Sequence, residues 1–88
     1  MEFVFRYLVE AILVDSLHLP CIKGFISKDE ANKFYNDTIR GKLNHYKTEK
    51  ITINGNLNND VVKAVKLIDR ETDKHYATLI FRDLKELI

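Results

Sequence analysis

One amphipathic helix between β-rich runs is the feature that most limits the folds open to this chain of 88 residues. Ser27 is followed three positions later by Glu30, and this capping-box spacing predicts the start of a helix. Mainly apolar side chains then recur at helical spacing on one face: Ala31, Phe34, Tyr35, Thr38 and Ile39. Arg40 suits the negative end of the helix dipole and Gly41 favours a stop, so we predict a helix over residues 28–40.

Residues 3–14 fit two structures. As a strand, one face would be entirely apolar and the other mixed, with Arg6 and Glu10 on the mixed face. As a helix, the stretch would be apolar nearly all round, with those two charges paired at i and i+4. The many aromatic and β-branched residues favour the strand, and both alternatives stay open. Residues 19–26 are typical of a second strand whose start Pro20 confines to an edge or a strand end.

The C-terminal half carries mostly strand signals. Residues 42–50 are polar and predict a connection, and Asn54-Gly55 indicates a turn or a bulge. Two β-rich runs, 61–68 and 75–81, flank a charged segment that predicts a hairpin loop. The tail from residue 82 onward favours a short helix or an apolar end that packs on a partner.

The sum is a single α+β domain over residues 1–88, in β(β)αβββ order. We predict a mainly antiparallel sheet of four to five strands, with one amphipathic helix on one face. The last hairpin is apolar on both sides, so either the sheet curls on itself or a second subunit covers it. A homodimer built on the open sheet face or the last strand follows, with these predicted interface residues: Val61, Val65, Leu79, Phe81, Leu84 and Leu87.

Composition excludes several classes of function. Lys and Arg number 14 against 13 Asp and Glu, and a net charge of +1 excludes an acidic nucleic-acid mimic and a histone-like polycation. Cys21 is the only cysteine, which excludes an internal disulfide and a zinc-type cysteine pair and favours a reducing cytoplasm. The three glycines are isolated, so no phosphate-binding loop is present. We predict no cofactor, no metal and no membrane partner.

A basic segment after the helix supports an alternative function. Residues 40–50 contain four basic side chains and one acid. Tyr46 could stack on a base while lysines follow the phosphates. For a nucleic-acid-binding module, the predicted residues are Arg40, Lys42, His45, Tyr46, Lys47 and Lys50, with Lys63 and Lys66 in support.

Histidines support a third reading, a small ribonuclease-like enzyme. Two of His18, His45 and His75 would have to converge as general acid and base, and their spacing does not require this. Asp15, His18 and Cys21 are a poor metal set, and we expect a buried cysteine and a surface histidine there. A non-enzymatic module is therefore the leading prediction.

The chain resembles the small accessory proteins of tailed bacteriophages. The residues that carry the resemblance are an aromatic-rich first strand, then Phe25-Ile26-Ser27-Lys28-Asp29-Glu30-Ala31 leading into Lys33-Phe34-Tyr35, then a β-rich remainder with many Asn and Lys residues. Such proteins commonly bind and block one host factor, such as a defence protein, a toxin or part of the transcription machinery. The resemblance implies a protein-binding inhibitor or regulator and carries over no individual functional residue.

Overall fold

The structure is a computed structural model that describes residues 5–14, 21–53 and 59–84. These residues form one helix and five strands in the following order: β1 (Tyr7–Leu13), β2 (Cys21–Phe25), α1 (Lys28–Arg40), β3 (Tyr46–Ile51), β4 (Asn59–Asp69) and β5 (His75–Leu84). The predicted α+β class is confirmed.

The strands form one antiparallel sheet in the order β2-β1-β5-β4-β3. β5 is the central strand, and β2 and β3 are the edges. Strands about 4.8 Å apart put the two edges about 19 Å apart, so the connection from β2 to β3 must cross the sheet. α1, which is about 20 Å long at 1.5 Å per residue, and the turn over residues 41–45 make this crossing on one face.

α1 begins and ends where the sequence predicts. The Glu30 amide donates to Ser27 Oγ at 3.4 Å, which is the cap that the Ser-to-Glu spacing indicates. Gly41 keeps a right-handed conformation with φ −67°, and its N–H donates to Asp37 O at 3.0 Å. The helix thus ends without a left-handed glycine, and the chain runs directly into the turn over residues 41–45.

The core lies between α1 and one face of the sheet. Alternate strand residues point to opposite faces, and Val9, Leu79 and Phe81 pack beneath the helix. Tyr35 and Phe81 are almost fully buried, with ring centroids 6.0 Å apart. Burial of each such side chain stabilises the fold by about 1.5–3 kcal/mol relative to exposure. Among the described residues, the α1 backbone approaches β1, β2 and β5 but not β3 or β4.

The hairpin between β4 and β5 is closed by Asp69. Its Oδ1 accepts the Glu71 amide at 2.8 Å and the Thr72 amide at 3.1 Å. These amides, Thr72 first and then Glu71, hold the pKa of Asp69 below its usual value. Asp73 takes a left-handed conformation with φ 59°. The predicted hairpin over the charged segment is confirmed.

Two sequence predictions change, and one alternative that the sequence left open is decided. The favoured strand for residues 3–14 is confirmed for Tyr7–Leu13. The connection predicted for residues 42–50 is wrong in its second half, because Tyr46–Ile51 forms β3, whose backbone pairs with β4 although its side chains are mostly polar and exposed. β5 continues to Leu84, so residues 82–84 do not start a helix. The Asn54-Gly55 signal and residues 85–88 lie outside the described residues.

Candidate binding surfaces

The face of the sheet opposite α1, here called the open face, carries solvent-exposed apolar side chains. Ile22 on β2 is 58% exposed and Ile12 on β1 is 36% exposed. Leu8 on β1 is half-buried beside them, and Ile80 at the centre of the sheet is buried. No helix in the described part of the chain packs on this face. An exposed apolar surface of this kind is typical of an association site.

Charged side chains on the open face occur in pairs of opposite sign. Arg82 Nε donates to Glu10 Oε1 at 3.0 Å across β5 and β1, and both side chains are less than one-fifth exposed. On the other half of the sheet, Glu49 lies opposite Lys66 in the β3–β4 register. These pairs leave the open face close to neutral, which suits contact with another neutral surface.

Phe5 extends the open face beside β2. A Cβ built on Gly24 would lie 2.6 Å from Phe5 Cγ, so the ring lies directly on the glycine backbone. Phe5 itself is 40% exposed and adds to the apolar area. An aromatic side chain over a strand glycine covers backbone that glycine otherwise leaves bare.

The predicted nucleic-acid loop is tied to the β4–β5 turn. Arg70 Nε donates to Leu43 O at 3.0 Å, and the Arg70 amide donates to His45 O at 3.0 Å. The Tyr46 ring stacks on Tyr76, with centroids 4.5 Å apart and an interplanar angle of 18°. Burial, followed by the neighbouring Tyr76, raises the pKa of Tyr46. One face of the predicted base-stacking ring is therefore occupied within the chain.

Two cations of that loop are already paired. Arg40 forms an ion pair with Asp37 at 3.4 Å, and Lys47 forms one with Asp73. Lys42 is half-buried in the turn. Exposed pairs of this type contribute little to stability, yet they reduce the positive charge offered to a phosphate.

The remaining predicted cations face opposite sides of the sheet. Lys50 points to the helix side, whereas Lys47, three positions earlier on β3, points to the open face. On β4, Lys63 pairs with Phe81 on the helix side, whereas Lys66 pairs with Thr78 on the open face. The structure thus divides these lysines between two faces, with Lys50 and Lys63 on the helix side and Lys47 and Lys66 on the open face, and nucleic-acid binding stays a prediction.

The predicted histidines occupy separate environments. His45 is exposed in the turn before β3. His75 Nε2 lies 3.0 Å from both Ala77 O and Thr78 Oγ1, so its ring is held by its own strand. His18 lies outside the described residues. The ribonuclease-like alternative stays a prediction.

Cys21 is exposed, whereas a buried thiol was expected from the sequence. The reason is its place at the start of β2, an edge strand that α1 covers only in part. Within residues 5–14, 21–53 and 59–84, no three His, Cys, Asp or Glu side chains group as metal ligands. No helix of the described chain has the length and hydropathy needed to cross a bilayer.

The structure describes five of the six residues predicted for a dimer interface. Three of them pack in the core beneath α1: Val65, Leu79 and Phe81. Val61 is half-buried and Leu84 is buried, both on strand positions of the open face. Leu87 lies outside the described residues. Sequence reasoning missed Ile12 and Ile22; the available signal was that alternation puts Ile12 on the mixed face of β1, together with Arg6 and Glu10.

A groove opens on the helix side of the sheet, where α1 stops short of β3 and β4. It has a volume of about 590 Å³. Its polar lining comes from Tyr35, Asn36, Lys50, Thr52 and Lys63, and its apolar lining is largely aliphatic. None of the described residues that line it is acidic. The groove therefore carries positive charge and hydrogen-bond donors next to an apolar wall.

The fold defines a small α+β protein with one helix on a five-stranded antiparallel sheet. Comparisons with protein-family models, with the curated proteins and with the solved structures found no significant match.

Proposed function

We propose that this protein is a non-enzymatic protein-binding module that works as a homodimer joined through the open face. The observation that carries the proposal is the exposure of Ile22 and Ile12 on a sheet face without a covering element in the described chain. In this proposal the module regulates or blocks a protein by occupying its surface.

Two properties of the open face favour a second copy as its occupant. A two-fold interface brings the same surface to itself, so a face with excess charge would repel its copy. The open face avoids this, because Glu10 pairs with Arg82 and Glu49 lies opposite Lys66. The exposed apolar side chains, Phe5, Ile12 and Ile22, lie together on the β2–β1 side of the sheet, so a second copy could cover this apolar patch with its own.

Sedimentation equilibrium at tens of micromolar protein tests the proposal. We expect twice the monomer mass of 10.3 kDa, with little dependence on salt because the interface is mainly apolar. Ile22→Asp should return the protein to monomer, because a carboxylate would be buried without a partner.

Ile26→Asp is the matched control. Ile26 is even more exposed, at 70%, but it lies in the bend before α1 and not on the sheet. We expect this variant to stay dimeric. A monomeric wild-type protein, or equal loss of the dimer in both variants, would contradict the proposal.

A further inference from the structure

Lys63 is a half-buried cation with neutral partners. Its Nζ donates to Asn32 Oδ1 and, at 3.5 Å, to Asn36 Oδ1, both on α1. The same atom lies 4.9 Å from the centroid of Tyr35 and 5.7 Å from that of Phe81. Among the described residues, no carboxylate pairs with it. Burial lowers the pKa of Lys63, which reflects the cost of holding this charge away from water.

Tyr35 lies beneath Lys63 in the same groove. The residue is 2% exposed, and its hydroxyl is buried without a hydrogen-bond partner in the described structure. Because solvent does not reach this oxygen, the groove is lined by the ring of Tyr35 and not by its hydroxyl.

Asn36 adds a donor to the groove wall. Its carbonyl oxygen accepts from Lys63, so its amide NH₂ group can donate to a ligand. Lys50 adds a second cation on the β3 wall, and Val62 and Val65 contribute apolar surface. The volume of about 590 Å³ falls within the range of about 300–1,000 Å³ that is usual for small-molecule pockets.

We propose that the groove binds a small molecule in which a carboxylate or phosphate is attached to an apolar body. The oxyanion would pair with Lys63 and accept from the amide group of Asn36, both of which line the groove. Charge-assisted hydrogen bonds of this type are the strong ones, and the apolar body would cover the aliphatic wall. This site lies on the opposite side of the sheet from the dimer face and does not depend on it.

Phenyl phosphate and benzoate, followed by amide chemical shifts in a nitrogen-15-labelled protein, test the proposal. We expect saturable shifts around Tyr35, Asn36, Lys50 and Lys63, with a dissociation constant of about 1 mM or lower for at least one probe. Binding of only one probe would identify the oxyanion as phosphate or carboxylate. Binding of both would show that the site recognises the negative charge and does not distinguish the two anions. Neutral benzyl alcohol should bind at least about tenfold more weakly.

Lys63→Met keeps the apolar stem of the side chain and removes the charge. We expect it to weaken binding by about tenfold or more, whereas Lys66→Met, on the opposite face of β4, should leave binding unchanged. Asn36→Ala removes one donor from an exposed position of α1 and should weaken binding several-fold, so the test does not depend on the lysine variant alone. Titration of Ile22→Asp should give the wild-type result, so that failure of the dimer and failure of this site are separable. No saturable shift with either anion, equal binding of benzyl alcohol, or unaltered affinity in Lys63→Met would overturn the proposal.

Discussion

The buried hydroxyl of Tyr35 gives the sharpest prediction for stability. Tyr35→Phe removes one oxygen and keeps the ring that packs on Phe81 at a centroid distance of 6.0 Å. A hydroxyl buried without a hydrogen bond costs about 1–3 kcal/mol. We therefore expect the free energy of unfolding to rise by about 1 kcal/mol, which for a domain of this size raises Tm by about 4–8 °C.

The same hydroxyl predicts a difference at alkaline pH. Burial raises the pKa of Tyr35 from 10.0 to about 12. Between these values the unfolded chain has released a proton that the folded chain still holds, so wild-type stability falls as the pH rises from about 10 to about 12. The full contribution of Tyr35 to this fall is about 2–3 kcal/mol. Tyr35→Phe lacks that contribution, so the gap between the two proteins should widen in this window.

Urea unfolding followed by circular dichroism, at neutral and at alkaline pH, measures both effects. Tyr7→Phe is the control, because Tyr7 is only half-buried and should give a change close to zero. A loss of about 1 kcal/mol or more in Tyr35→Phe would show that the hydroxyl has a partner and would refute the reasoning. If the free energies of unfolding of wild type and Tyr35→Phe changed in parallel with pH, the burial of the hydroxyl would be refuted.

Three further variants probe the sheet. Arg82→Met removes the partner of the Glu10 carboxylate, which is 15% exposed, and should lower the free energy of unfolding by about 2 kcal/mol. Arg6→Met breaks a more exposed pair of equal length and should change little in the same denaturation assay. Gly24→Ala should destabilise by about 1–3 kcal/mol through its contact with Phe5, and a double-mutant cycle with Phe5→Ala should recover most of that loss. Asp69→Ala should lower Tm at neutral pH. The turn amides depress the pKa of Asp69 in the folded chain below its value of 3.8 in the unfolded chain. The difference in Tm between wild type and Asp69→Ala should therefore shrink as the pH falls below 3.8 and through the folded-state pKa.

Local signals were sufficient for the elements that carry their own chemistry. The cap between Ser27 and Glu30 and the apolar stripe placed α1 at Lys28–Arg40, the same bounds as in the structure. The charged segment between two β-rich runs predicted the last hairpin. This signal is also local, because β4 and β5 are consecutive in the sequence and pair with each other. These patterns depend on residues a few positions apart, which a single sequence displays directly.

β3 shows where local reasoning fails. Its sequence, from Tyr46 to Ile51, is largely charged and has no apolar alternation, so periodicity alone predicts a loop. Its stability comes from backbone pairing with β4, in which Lys50 lies opposite Val65. The assignment of apolar residues to the two sheet faces fails in a related way. Val65 and Leu79 were read as interface residues, because parity does not say which face the helix covers.

The groove could not have been predicted from the sequence, because its chemistry depends on how far α1 extends over the sheet. In sequence Lys63 is one of 14 basic residues, and Asn32 and Asn36 fall on the polar side of an amphipathic helix. The α1 backbone approaches β2, β1 and β5 and stops short of β4, where the Lys63 side chain reaches back to the helix. That geometry makes a solvated lysine into a half-buried cation above the Tyr35 ring, with neutral amides as its partners. A cation without a counter-ion in its own fold weakens that fold, and an anionic ligand that pairs with it would recover the loss. The stability gained in Tyr35→Phe therefore measures the cost of the buried hydroxyl, whereas the affinity lost in Lys63→Met measures the contact between the cation and its ligand.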